Sequence, residues 1–353
     1  MKYSVDKTAS ESAYMQLYRQ IREDIAAGAY TAGAKLPSKR ALALETGVSV
    51  ITVEHTYSML CDEGYAEARE KSGYYALGVP VPPPVKRVSI EAMAAPELPE
   101  DFSFSIMAKT MRSVLSRYDR SIFARCEAQG SGQLRNVLSE YLLRSRGIKA
   151  EPSQIVIGSG AEYLYSLIVP LLGLKSVAIE DPSYEKIRRV YELCGAEIRA
   201  LPLGENGIES EYLRLCGSDA LHVTPYHSYP SGVTASEEKR KEYALWAKNN
   251  GTYIIEDDYD SELSPSGMET VFSLSPERVI YVNTFSKSIA PSIRTGYMVL
   301  PEGLVDVFRE KLGFLSCTVP LFEQLVLAEF ISQGHMDRCI NRKRRRKISA
   351  PAF

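Results

Sequence analysis

Between residues 155 and 282 five short apolar runs recur, at 155–157, 177–179, 220–223, 253–255 and 279–282. Helix-length amphipathic segments accompany them, including 134–143, 161–171 and 237–247. Unbroken runs of aliphatic and β-branched residues suit strands covered on both faces. Such strands, joined by helical crossovers, predict an α/β fold with a mostly parallel sheet between two helical layers. Ligands of such sheets collect beyond the carboxyl ends of the strands, so the residues that follow each run are where chemistry is expected.

The last run opens the stretch VIYVNTFSKSIAPSIRTGYMVL, residues 279–300, which breaks into hydroxyl residues around Lys287 before a second apolar run begins at Tyr297. A lysine between buried strands is costly, and desolvation favours the neutral amine, the form that attacks a carbonyl. Thr284, Ser286 and Arg294 supply hydroxyls and a guanidinium fork, a phosphate clamp beside a Schiff-base lysine. An isolated Ser-Lys pair would be only a surface loop. The run at 253–255, however, ends in Glu256, Asp257, Asp258 and Tyr259. A pyridoxal phosphate site needs a carboxylate on the ring nitrogen and a phenol near the ring oxygen, and Asp257 and Tyr259 have that chemistry. Gly160 and Ala161, in the Gly-Ser-Gly turn after the first run, open a helix whose free N–H groups suit the phosphate. Tyr184 and His227 stand at two further strand ends, where either a place beside the ring or a structural role is open.

Residues 12–77 read differently. Tyr14, Leu17, Tyr18, Ile21 and Ile25 recur at helical spacing, and Gly28 stops that helix. Residues 36–65 read as two short helices, opened by Pro37-Ser38 and Ser49 and closed by Gly47 and Gly64. Residues 65–69 and 74–77 then pair as a hairpin across Glu70-Lys71-Ser72-Gly73. This is the pattern of a winged helix-turn-helix. Residues 11–77 hold seven Lys and Arg against nine Asp and Glu, so DNA contact must come from placed donors and not from bulk charge. Lys39, Arg40, Ser49, Thr52 and Lys71 are the candidates. Residues 78–100 carry six prolines and read as a linker, which leaves 101–353 for the second domain.

The six cysteines form no C-x-x-C pair and the four histidines are scattered, which predicts reduced thiols and no metal site. With no membrane-length apolar stretch and no apolar segment at the N-terminus, a cytoplasmic protein is expected.

The strings LPSKRALA, GSGAE, TPYHSYPSG, EDDYDSE and TFSKSIAPSIRTGY, in this order, resemble the MocR/GabR-like subfamily of GntR transcriptional regulators. These join a winged helix-turn-helix to a fold-type-I, aminotransferase-like domain. The resemblance spans residues 12 to about 346. It implies that Lys287 carries pyridoxal 5'-phosphate as a Schiff base, that Asp257 faces the pyridine nitrogen, that Tyr259 lies near the ring hydroxyl, and that Thr284, Ser286 and Arg294 hold phosphate. It also implies contact of Arg40, Ser49 and Thr52 with a double-stranded DNA operator, a homodimer, and response to an amino-compound effector that displaces the lysine. Regulation is the leading expectation, with aminotransferase turnover or a regulator deaf to effector as alternatives. Glu162 stands where relatives more often have glutamine and Tyr229 where transaminases have asparagine, which argues against efficient transamination. The family continues into a small domain that supplies a lid and an effector-binding arginine. Ending at Phe353, this chain is expected to lack both and to respond weakly.

Overall fold

A computed structural model describes residues 2–9, 11–77, 102–263 and 269–349, without the side chains of 346–349. The chain divides into two compact units, Met1–Ala95 and Pro96–Phe353. The division falls within the expected linker, 78–100, which itself lies outside the described residues.

The first unit is built from α1 (Ala13–Ala26), α2 (Lys39–Thr46), α3 (Val50–Asp62) and a hairpin of β1 (Ala66–Arg69) and β2 (Gly73–Ala76). Leu17, Tyr18, Ile21 and Ile25 form the buried stripe of α1, as the period of the apolar residues requires. The Ser38 and Ser49 hydroxyls accept the N–H of Ala41 and Thr52, which caps α2 and α3. Gly47 closes α2 at φ +66°, a left-handed position that an L side chain resists. The hairpin pairs Ala66 with Ala76, one residue tighter than the sequence suggests because Gly73 joins the strand. Tyr3, ahead of the expected domain start, is also buried in this core, its hydroxyl 2.7 Å from Asp24.

In the second unit the strands are β3 (Ile155–Gly158), β4 (Ser176–Asp181), β5 (Glu197–Gly204), β6 (Gly207–Ile208), β7 (Ala220–Val223), β8 (Tyr253–Asp257), β9 (Val279–Thr284) and β10 (Gly296–Val299). The helices are α4 (Phe104–Tyr118), α5 (Gly132–Arg146), α6 (Ala161–Leu172), α7 (Glu185–Leu193), α8 (Ser210–Leu215), α9 (Glu237–Asn250), α10 (Val271–Leu274), α11 (Phe285–Ser288), α12 (Val305–Leu312), α13 (Leu321–Ser332) and α14 (His335–Ser349).

One sheet of order β3-β10-β9-β8-β7-β4-β5-β6 forms the middle layer. Side chains alternate across it. Ile155, Ile157, Tyr281 and Tyr297 enter the core shared with α4, α5, α9 and α13, while Val156, Ile280, Val282 and Met298 enter the core shared with α6, α7 and α12. The pairs β9-β8, β8-β7, β7-β4 and β4-β5 are parallel, as expected, but β10 runs antiparallel between β3 and β9. The chain between β9 and β10 is too short for a crossover helix, so it must return antiparallel. β5 has no continuous apolar run, since it pairs beyond β4 with much of its surface exposed.

Candidate functional site

Three strand ends and the start of α6 enclose a cavity of about 440 Å³. Asp257 ends β8, Thr284 ends β9, and Gly160 follows β3 into α6. Lys287 sits on α11, the single turn into which β9 runs. Asp257, Tyr259, Gly160, Ala161, Thr284, Ser286, Lys287, Arg294 and Tyr184 all line this one space.

Asp257 is buried at 6% exposure. Its Oδ2 accepts the Tyr165 hydroxyl at 2.6 Å, while its Oδ1 is buried with no partner. A buried carboxylate oxygen left unsatisfied is costly. Burial pushes the Asp257 carboxyl up to about 7, against the Tyr165 hydrogen bond that favours ionisation. Tyr165 lies four residues after Ala161 on α6, so the helical repeat carries both to the same face.

At the other end of the cavity Gly160 turns the chain at φ +96°, and a Cβ there would meet Arg294 Nη2 at 2.9 Å. Thr284 and Ser286 pair their hydroxyls at 3.1 Å. Arg294 Nη2 lies 3.0 Å from Glu162 Oε2, and Lys186 Nζ lies 3.3 Å from Glu162 Oε1. Tyr229, which the sequence sets where transaminases have asparagine, also lines the cavity, whereas these pairings and the presence of Tyr165, Lys186 and Thr224 in the lining were not legible in the sequence.

Two expectations need correction. Lys287 is exposed on the cavity, not buried between strands, because β9 ends at Thr284 and α11 projects beyond the sheet. Its Nζ is 6.0 Å from the Tyr259 ring centre. His227 does not line the cavity. At φ +54° its ring turns toward Asp260, Nδ1 at 3.2 Å from Oδ2, and only its backbone carbonyl reaches the site, accepting the Tyr259 hydroxyl at 2.9 Å. The loop that carries it is pinned by Glu180, which accepts the Thr224 N–H at 3.1 Å and the Ser228 hydroxyl at 2.6 Å. Tyr184 meets Tyr229 edge to face, ring centres 5.8 Å apart, at the cavity mouth.

Behind the cavity, Arg146 and Asp258 form a buried ion pair at 2.9 Å. The Tyr281 hydroxyl donates to the same Asp258 oxygen at 2.6 Å, and Asn283 Nδ2 donates to the Tyr281 oxygen at 3.0 Å. The basic run at 342–347 lies inside α14, where Lys343 Nζ donates to the Lys287 and Ile289 carbonyls and Arg344 Nε to the Glu262 carbonyl. Among the described residues no cluster of three or more His, Cys, Asp or Glu could hold a metal, and no helix is long and apolar enough to cross a membrane.

On the first unit, Arg40, Ser49 and Lys71 are exposed and Thr52 is half-buried on the first turn of α3. Lys71, at φ +57°, forms the hairpin tip. Lys39 is not a free donor, since its Nζ lies 2.8 Å from Glu54 Oε1 on α3. Ile51, 78% exposed, presents an apolar side chain on the same first turn.

Two family descriptions match the chain: "Bacterial regulatory proteins, gntR family" over residues 13–75, and "Aminotransferase class I and II" over residues 104–348. The uncharacterized HTH-type transcriptional regulator YdeL of Bacillus subtilis is 33% identical over 361 aligned residues, covering 97% of this chain and 78% of YdeL. The chain belongs to the MocR-like, GntR-type transcriptional regulators. Similar members include the pyridoxine biosynthesis regulator PdxR of Corynebacterium glutamicum, at 31% identity over 94% of this chain and 75% of PdxR. The probable rhizopine catabolism regulatory protein MocR of Rhizobium meliloti is 28% identical, over 97% of this chain and 76% of MocR. Among solved structures, the second unit of this GntR-type regulator is similar to an archaeal alanine:glyoxylate aminotransferase, with TM-score 0.62 and 24% identity over 68% of this chain and 62% of that one. Pyrococcus horikoshii kynurenine aminotransferase gives TM-score 0.63 and 24% identity over 70% and 64%. These likenesses establish the aminotransferase fold. The chain spans less than two thirds of those enzymes' length.

Proposed function

We propose that this regulator holds pyridoxal 5'-phosphate in the cavity of its second unit and controls operator binding when an amino compound enters that site. The observation that carries the proposal is Asp257 Oδ1, a buried acceptor with no partner in the lining of a cavity that also holds a helix start and a guanidinium. A protonated pyridine nitrogen is the donor such an oxygen requires. Thr284, Ser286, Arg294 and the N–H groups of Gly160 and Ala161 suit a phosphate ester. Lys287 offers the primary amine, Tyr259 a phenol for the ring oxygen, and Tyr184 an edge to the ring. When bound, pyridoxal phosphate supplies an aldehyde to which amines attach covalently and reversibly. Asp257 would hold the proton on the ring nitrogen, and Arg294 would fix the phosphate so that the aldehyde end faces Lys287.

In the first unit, Arg40, Ser49, Thr52 and Lys71 would contact the DNA, with Lys39 released from Glu54 on approach, and Ile51 would meet a thymine methyl in the major groove. A homodimer in the cytoplasm is part of the same reading. The relatives' names, rhizopine catabolism and pyridoxine biosynthesis among them, differ from member to member, so the effector is proposed only as an amino compound.

Borohydride reduction of the full chain loaded with pyridoxal 5'-phosphate, followed by peptide mapping, should place one pyridoxyl group on Lys287. Its appearance elsewhere, or nowhere, sinks the cofactor reading. For the DNA arm, Arg40→Ala should weaken retardation of the promoter fragment by roughly tenfold and flatten the salt dependence by about one ion. An unchanged salt slope would remove Arg40 from the interface.

A further inference from the structure

Glu162 already engages the cations that a phosphate in this cavity would need. One carboxylate oxygen faces Arg294 and the other faces Lys186, at 3.0 and 3.3 Å. Glu162 is the second residue of the twelve-residue helix α6, so it stands among the free N–H donors of that helix start. A Cβ built on Gly160 would come within 3.5 Å of Glu162 Oε2 as well as 2.9 Å of Arg294 Nη2, so the ion pair lies over the turn that leads into α6. Glu162 therefore engages a guanidinium and an ammonium beside a helix start, which is the setting expected of a bound phosphate. Burial works against its ionisation, yet its own N–H, Lys186 and Arg294 together hold the carboxyl below the usual range.

We propose that Glu162 is a built-in anionic competitor for the phosphate cradle, which weakens the hold of this unit on phosphate esters and makes pyridoxal 5'-phosphate an exchangeable ligand. The inference rests on the cofactor reading above. With Glu162 ionised, the side chains of Arg294, Lys186 and Glu162 carry a net charge of +1. With a neutral residue at 162 they sum to +2, which matches the roughly −1.5 to −2 charge of a phosphate monoester. At 31% side-chain exposure, Glu162 has a path to solvent when a phosphate displaces it.

The test is the dissociation constant of pyridoxal 5'-phosphate and of pyridoxal, read by absorbance on the full chain, for wild type, Glu162→Gln and Glu162→Ala. Both substitutions should tighten pyridoxal 5'-phosphate roughly tenfold, the scale of one partly exposed ion-pair partner, and leave pyridoxal unchanged. Inorganic phosphate should raise the melting temperature of the cofactor-free variants more than that of wild type. Unchanged or weaker pyridoxal 5'-phosphate binding in both variants overturns the inference and makes Glu162 a mere positioner of Arg294. If wild type takes up neither aldehyde at Lys287, the cofactor reading falls, and the phosphate arm alone decides: equal thermal shifts overturn the competitor and larger shifts in the variants support it.

Discussion

Asp257→Asn should lower affinity for pyridoxal 5'-phosphate by about a hundredfold, the equivalent of about 2.7 kcal/mol, while leaving the cofactor-free protein as stable as wild type or more so. The two effects have one cause. Asp257 keeps a buried oxygen without a partner, and burial pushes the carboxyl up to about 7 from an ordinary 3.8. Asparagine can still accept the Tyr165 hydroxyl, but it offers no charge to hold a proton on a pyridine nitrogen. The sign of the stability effect follows from linkage. Below about pH 4 the acid is protonated in both folded and unfolded chains, and it costs nothing. Between about pH 4 and about pH 7 the unfolded chain releases the proton first, so wild type loses stability relative to the variant. Above about 7 the gap stops growing. Glu262, also pushed up to about 7 by burial, is common to both proteins and cancels in the comparison, whereas Glu180, raised by burial and in part by the Asp257 charge, titrates somewhat lower in the variant and adds to the gap in the same direction. Absorbance titration and urea unfolding across that range measure both effects. A variant that binds as tightly as wild type, or whose stability gap is flat with pH, would show that Asp257 is not the group held in waiting.

A second large effect is expected behind the cavity. Arg146→Met should destabilise the second unit by about 3–5 kcal/mol, because it strands the Asp258 carboxylate in the core. Arg146 and Asp258 are 6% and 2% exposed at their side chains, too deep for water to replace the lost partner. The damage should reach the site. Asp258 holds the Tyr281 hydroxyl, Tyr281 holds Asn283, and Asn283 Oδ1 accepts the Thr284 N–H at 2.6 Å, so the chain of bonds ends at the residue proposed for phosphate. Adding Asp258→Asn to Arg146→Met should recover most of the stability, since the amide keeps an acceptor for Tyr281 without a buried charge. Denaturant unfolding of the single and double variants checks this. A single variant within about 0.5 kcal/mol of wild type would mean that the pair carries no such weight.

Much of the site could be read along the chain because each of its parts is local. Asp257 ends one apolar run, Thr284 ends another, and Gly160 with Ala161 open a helix, so strand ends alone brought these residues to one rim. What could not be read were partners distant in sequence. Tyr165 bonds Asp257 across 92 residues, Arg294 pairs with Glu162 across 132, and Arg146 with Asp258 across 112. The partner of Lys39 was hidden for a related reason: Glu54 lies on the next helix, where spacing along one helix carries no information.

By itself the sequence determined the two-unit plan, the winged helix-turn-helix with its serine caps, the α/β sheet, and the chemistry available at its strand ends. Capping, turn residues and apolar period act over a few residues, so they are written where they act. Only the tertiary structure decided that β10 returns antiparallel, that Lys287 stands open to the cavity, that His227 turns to Asp260, and that Glu162 lies over Gly160. Each depends on where a side chain meets one far along the chain, and that meeting is set by how the layers pack, not by any local pattern.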